Sequence, residues 1–207
     1  MDGRGGEPRP SSFRRPRYPA PRPSDSEARI HTQKRIFIAL QIVGGTAVLG
    51  SYVLGFVRWP DAVAAMWGGV PEAIRPAYTV WMFVAATGYF AFSGFFLSAD
   101  PDRSRVMGRG YPLLHLLYGL VLVGSAAWLP LTKLLVEAPS AALWWGVRGV
   151  LYAVALGSLG ILASAATLTP APSPALRRAA VLGAVAFCFQ TVLLDALVWP
   201  ALFPAPG

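Results

Sequence analysis

Cysteine, histidine and charged residues are scarce in this sequence. A single cysteine, Cys188, excludes a disulfide within these residues, and no CxxC motif or metal-spaced Cys/His cluster is present. Charged residues make up 14% of the 207 positions and hydrophobic residues 55%. Soluble proteins contain about a quarter charged residues, so this composition indicates a membrane protein.

Motifs typical of common enzyme classes are also missing. The sequence contains no phosphate-binding glycine loop, no HExxH, no GxSxG and no pair of carboxylates within an apolar stretch. No lysine lies deep in such a stretch, where a retinal protein would need one. We therefore predict no cofactor and no metal, and the sequence favours a non-enzymatic protein.

Long apolar runs dominate what remains. Five of them are close to or above the roughly 20 residues that a helix needs to cross a bilayer, and none alternates like a membrane β-strand. We predict an all-α integral membrane protein, a five-helix bundle, with Pro130 near the end of its third span. The predicted spans are 36–57, 77–98, 113–131, 142–168 and 179–203.

Basic residues alternate in number between successive connections. Nine lie in the N-terminal tail, three in the second loop and two in the fourth, whereas the other side carries only Arg58, Arg75 and Lys133. Because cytoplasmic loops are enriched in lysine and arginine, we predict the N-terminus inside and the C-terminus outside. The net charge of +8 does not follow one face or helix, so we predict no nucleic-acid partner.

The first 35 residues are rich in Pro, Arg, Ser and Gly and nearly free of apolar side chains. Such a segment cannot bury enough surface to offset the entropy of ordering, so we predict a disordered tail over 1–35 and a short C-terminal end over 204–207. The basic tail is expected to contact anionic lipid. Its acidic residues and prolines disfavour an organellar presequence, and the host membrane stays open.

The stretch ALWWGVRGVLYAV places Arg148 inside the fourth span. In an ideal helix Arg148 lies only about 4 Å below the outer boundary, which its long side chain can reach by snorkelling. Asp195 in the fifth span lies about 8 Å below the same boundary and is too short to reach it. An isolated buried carboxylate is unfavourable, so we predict that Asp195 pairs with Arg148 across two helices.

Helical spacing adds neighbours to this pair. Trp145, Arg148 and Tyr152 share one face, so the guanidinium is expected against an aromatic ring. Thr191 lies on the Asp195 stripe, which should face protein, and Gln190 beside it should find a partner. His115 in the third span is expected to be a hydrogen-bonded structural residue.

All seven tryptophans are predicted on the outer side. An interfacial belt is the simpler interpretation, but such belts form at both surfaces. The alternative is an aromatic rim around an outward-facing pocket. Its predicted members are Trp81, Trp128, Trp145, Tyr152 and Trp199.

Two functional hypotheses follow. The favoured one is a non-enzymatic structural or assembly component, in which the Arg148–Asp195 pair fixes helix packing. The alternative is a binder or transporter of a small molecule or lipid, with the tryptophan-rimmed pocket as its site. Beyond the lipid bilayer, the expected partner is a second copy of the chain or another membrane protein.

Overall fold

Over residues 25–204 the protein is a bundle of five helices that are long and apolar enough to cross a membrane, which confirms the predicted fold class. The structure, a computed structural model, describes residues 25–204, with side-chain surroundings from Thr32 onward. Most of the predicted tail, with its lipid contact, and residues 205–207 lie outside this range. The inside–outside orientation stays a prediction. The helices are α1 (Asp25–Arg58), α2 (Arg75–Ser98), α3 (Pro112–Glu137), α4 (Ala141–Thr167) and α5 (Pro174–Leu202).

Helix α1 begins at Asp25, inside the segment predicted to be disordered. The prediction was therefore wrong for residues 25–35. These residues, DSEARIHTQKR, follow the last proline of the tail and contain neither proline nor glycine. Several are good helix formers, so the membrane helix extends back through them.

Helix α3 continues through Pro130 and ends at Glu137, beyond the predicted end at residue 131. A proline removes one helical hydrogen bond, and membrane helices tolerate this loss when neighbouring groups compensate. The extra residues place Lys133 in an ion pair with Glu137. The Lys133 ammonium also lies 5.1 Å from the centre of the Trp59 ring.

The helices pack in the order α1, α3, α4, α5, α2. Helices α2 and α5 approach closely at two glycines, where a Cβ on Gly88 would lie 2.3 Å from the Gly183 carbonyl oxygen. Small residues let helix backbones approach in membranes, so this contact fixes α2 against α5. In contrast, α1 packs mainly on α3 and leaves large apolar side chains such as Val43 and Leu49 exposed.

The two ends of the bundle differ in composition. The tryptophan end comprises residues 59–74, residues 138–140 and the end of α5, and the seven tryptophans lie there or in the adjoining helix halves. The arginine end comprises residues 99–111 and 168–173 with the start of α5. Backbone bonds tie its two loops together, since the Arg105 N–H donates to the Thr169 carbonyl at 2.8 Å.

Candidate functional site

Arg148 lies in the second turn of α4, surrounded by aromatic rings. Its guanidinium carbon is 5.6 Å from the centre of the Trp144 ring, 5.1 Å from that of Trp145 and 5.5 Å from that of Tyr152. The guanidinium also donates a hydrogen bond to the Tyr152 hydroxyl. Cation–π contacts of this kind are favourable in a desolvated setting, and they satisfy the predicted contact with an indole ring.

Arg148 is not paired with Asp195, which corrects the predicted interhelical ion pair. The three ion pairs among the described residues are Arg75–Glu72, Arg103–Asp100 and Lys133–Glu137. Arg148 is half-buried, and Trp145 beside it is 62% exposed. The arginine therefore lies between buried Trp144 and exposed Trp145, with its Nε buried.

Asp195 lies on α5 and contacts α2 and its own helix. Its Oδ1 accepts a hydrogen bond from Gln190 Nε2 at 2.8 Å and a longer one from the Tyr78 hydroxyl at 3.4 Å. The second distance exceeds the usual range of about 2.5–3.0 Å for hydroxyl donors, so Gln190 is the stronger partner. We call Tyr78, Gln190 and Asp195 the Asp195 centre.

A change of helix type in α5 brings Gln190 and Asp195 together. Residues Phe189–Val198 form a π-helix, whose hydrogen bonds join residues five apart. In an α-helix, side chains three or four residues apart are the neighbours, so Gln190 would point away from Asp195. Asp195 was predicted to pair with Arg148 because Arg148 is the one cation within the predicted spans and lies at a similar depth.

Two oxygen atoms of the Asp195 centre accept no hydrogen bond from the described residues. Gln190 is 6% exposed, and its buried Oε1 has no hydrogen-bond partner. Both donors to Asp195 reach Oδ1, and none of the residues described donates to Oδ2. Buried polar atoms without partners are unfavourable, more so when charged. The centre therefore has acceptor capacity that a further hydrogen-bond donor or a cation would satisfy.

A groove between α2 and α5 shares Tyr78 with this centre. It has a volume of about 310 Å³, and Tyr78 joins it to the carboxylate. Trp81 forms part of its wall, with the indole N–H donating to the Ala186 carbonyl at 3.2 Å. The lining residues are Ile74, Ala77, Tyr78, Trp81, Phe189 and Leu194.

Two of the predicted rim residues, Trp128 and Trp199, lie in a closed aromatic cluster. Trp199 is 4% exposed, contacts Trp128 at 6.0 Å between ring centres, and donates its N–H to the Met66 carbonyl at 2.8 Å. Trp144 and Phe203 stack at 5.9 Å and fill the space beside it. Trp145 and Tyr152 lie outside this cluster around Arg148, and Trp81 lies apart on the groove. The five predicted rim residues therefore do not enclose one opening.

The secondary polar residues occupy separate places. Thr191 is buried, as predicted for its stripe, and its hydroxyl donates to the Phe187 carbonyl at 2.9 Å. His115 lies in the first turn of α3, against the Tyr111 ring and close to the backbone of Gln33. Its buried Nε2 has no hydrogen-bond partner among the described residues. No group of metal-binding side chains occurs in residues 25–204.

A second buried polar cluster was missed by sequence reasoning. Gln41 of α1 donates to the Ser93 hydroxyl at 3.1 Å and accepts from the Tyr89 hydroxyl, while Ser93 and Tyr118 share a bond of 3.0 Å. We call these four residues the Gln41 network. The available signal was Gln41 itself, the one amide within the first predicted span. Tyr78 was also missed, although it shares the buried face of α2 with Ala85 and Phe92.

Comparisons with protein-family models, curated proteins and solved structures found no significant match to the chain.

Proposed function

We propose that this protein is a non-enzymatic membrane component that assembles with further copies of itself inside the bilayer. The observation that carries the proposal is a mismatch of charge within one chain. Among the described residues, Asp195 has no cationic partner and Arg148 has no anionic partner. Charged groups inside membranes are unfavourable unless they are paired or hydrated, so both have an unmet requirement.

The two residues lie at matching depth. Arg148 is seven residues from the start of α4, and Asp195 is seven residues from the end of α5, and both of these helix ends are at the tryptophan end. Copies inserted in the same orientation share this depth to within about one helical turn. Arg148 of one copy can therefore meet Asp195 of the next at the same level of the membrane.

Donors and acceptors also match in number. Arg148 uses one of its five N–H donors on Tyr152, and its Nε has no partner. The Asp195 centre has two acceptors without a donor among the described residues, Oδ2 and the buried Gln190 Oε1. Arginine presents its donors in a planar fork that suits two neighbouring oxygens.

The surfaces around both groups suit helix contact. Gly146 and Gly149 flank Arg148 on α4, and a Cβ at either would meet nothing within 4 Å. Exposed small residues allow a partner helix to approach closely. The groove beside Asp195 provides the complementary recess, so the interface joins two different surfaces and can close into a ring or extend as a chain.

Self-association in lipid vesicles tests the proposal. Energy transfer between donor-labelled and acceptor-labelled copies should fall for Asp195→Asn and for Arg148→Gln, with association weakened at least about tenfold in each. Lys133→Gln is the matched control, because its partner Glu137 lies in the same chain. Unchanged energy transfer in both variants, or a wild-type protein that stays monomeric, would refute self-assembly through these charges.

A second candidate function is a carrier or receptor of a small amine or lipid in the α2–α5 groove. The favouring observation is the groove volume of about 310 Å³ next to the Asp195 centre. A hydrophobic amine probe added to vesicles should then bind wild-type protein and fail to bind Asp195→Asn. Under this alternative Arg148→Gln leaves binding intact, which separates it from self-assembly.

A further inference from the structure

A second groove lies at the arginine end, between the end of α4 and the first turns of α5. Its volume is about 430 Å³, and it is lined by Ala166, Arg177, Arg178, Val181 and Leu182. It lies at the opposite end of α5 from the Asp195 centre. It therefore belongs to none of the contacts described above.

The groove has a basic rim and an apolar floor. Val181 and Leu182 lie four residues after Arg177 and Arg178, so each apolar side chain is one helical turn deeper in the membrane than an arginine. Ala166 of α4 completes the apolar part. This arrangement matches the layout of a phospholipid, with phosphate at the headgroup level and acyl chains beneath it.

Arg177 is oriented by the protein but not fully satisfied. Its guanidinium donates to the Leu168 carbonyl, and its Nε is buried with no hydrogen-bond partner. Arg178 is exposed and forms no ion pair with any described residue. Two guanidinium groups without an acidic partner at the mouth of a groove suit a bound phosphate.

The surroundings favour the same charge. The first turn of α5 has Pro174 at its start and no side-chain cap from Ser173, and helix N-termini favour anions. Arg105 is tied through its backbone to Thr169, one residue after the carbonyl that Arg177 contacts. An acidic ligand is therefore favoured over a zwitterionic one at this end.

We propose that this groove is a binding site for an anionic phospholipid, with the phosphate held by Arg177 and Arg178 and one acyl chain lying along Val181 and Leu182. The site is independent of self-assembly through Asp195, because none of its residues belongs to that interface.

Native mass spectrometry of the full chain, released from mixed micelles, measures the bound lipid. Wild-type protein should retain phosphatidylglycerol in preference to phosphatidylcholine. The double variant Arg177→Gln/Arg178→Gln should weaken phosphatidylglycerol binding by roughly 30-fold. The control Arg103→Gln/Arg109→Gln removes the same charge from the neighbouring loop and should retain the preference.

Ala166→Leu tests the acyl contact without a change of charge. The added side chain fills the floor of the groove and should lower phosphatidylglycerol retention, while thermal unfolding in the same detergent stays unchanged. Equal loss in both double variants would show a diffuse charge effect and overturn the proposal. Full displacement by inorganic phosphate alone, or no preference over phosphatidylcholine, would overturn it as well.

Discussion

Two buried polar clusters in the same bundle are built in opposite ways. The Gln41 network joins α1, α2 and α3 through neutral groups, and none of its side-chain atoms is buried without a partner. The Asp195 centre holds a carboxylate and leaves the Gln190 Oε1 unpaired. A satisfied network stabilises packing, whereas an incomplete one is unfavourable until another group completes it. We infer that the Gln41 network stabilises the fold and that the Asp195 centre binds a partner.

The largest effect is expected where α2 meets α5, because this contact supports the Asp195 centre. Gly88→Ala would place a Cβ 2.3 Å from the Gly183 carbonyl oxygen. Forcing the helices apart should lower the free energy of unfolding in detergent by about 3 kcal/mol and also reduce self-association. Gly94→Ala on the same helix is the control, since a Cβ there meets nothing within 4 Å. Equal stability of the two variants would contradict the close contact.

An intermediate effect is expected from breaking the complete network. Gln41→Leu leaves the Tyr89 hydroxyl without its acceptor and removes the bond to Ser93. The free energy of unfolding should fall by about 1–2 kcal/mol, while energy transfer between folded copies stays at the wild-type level. If Gln41→Leu reduced association without lowering the free energy of unfolding, the Gln41 network would belong to the interface between copies. The contrast drawn with the Asp195 centre would then be wrong.

The smallest effect on stability is expected at the incomplete centre. Asp195→Asn keeps an oxygen for the Gln190 amide, removes a buried charge and adds an N–H₂ group that can donate to the Gln190 Oε1. The free energy of unfolding should change by less than about 0.5 kcal/mol, although association is lost. If Asp195→Asn strongly lowered the free energy of unfolding, Asp195 would have a structural role only.

The membrane spans were predictable because hydropathy follows from composition. Differences arose where local chemistry competed with that signal. Pro130 suggested a helix end, but one missing hydrogen bond did not stop α3. The polar tail suggested disorder, but its last residues are helix formers that continue into α1.

The sequence predicts that Asp195 requires a partner, but it does not predict which residues donate hydrogen bonds to it. Depth and side-chain length identified Asp195 as a residue requiring a donor. The identity of that donor depends on the π-helix at Phe189–Val198 and on the crossing of α2 over α5. Neither follows from helical periodicity, which assumes α geometry throughout and describes one helix at a time. Gln190 and Tyr78 became the donors for these reasons.

Subunit complementation tests the central claim most directly. Arg148→Gln copies retain Asp195, and Asp195→Asn copies retain Arg148. In vesicles that contain donor-labelled and acceptor-labelled copies of one variant alone, we expect only background energy transfer between copies. When the two variants are mixed, one intact Arg148–Asp195 contact can form between unlike copies, and energy transfer should rise clearly above background. A mixture that stays at background, while both variants are folded, would contradict pairing of these charges between copies.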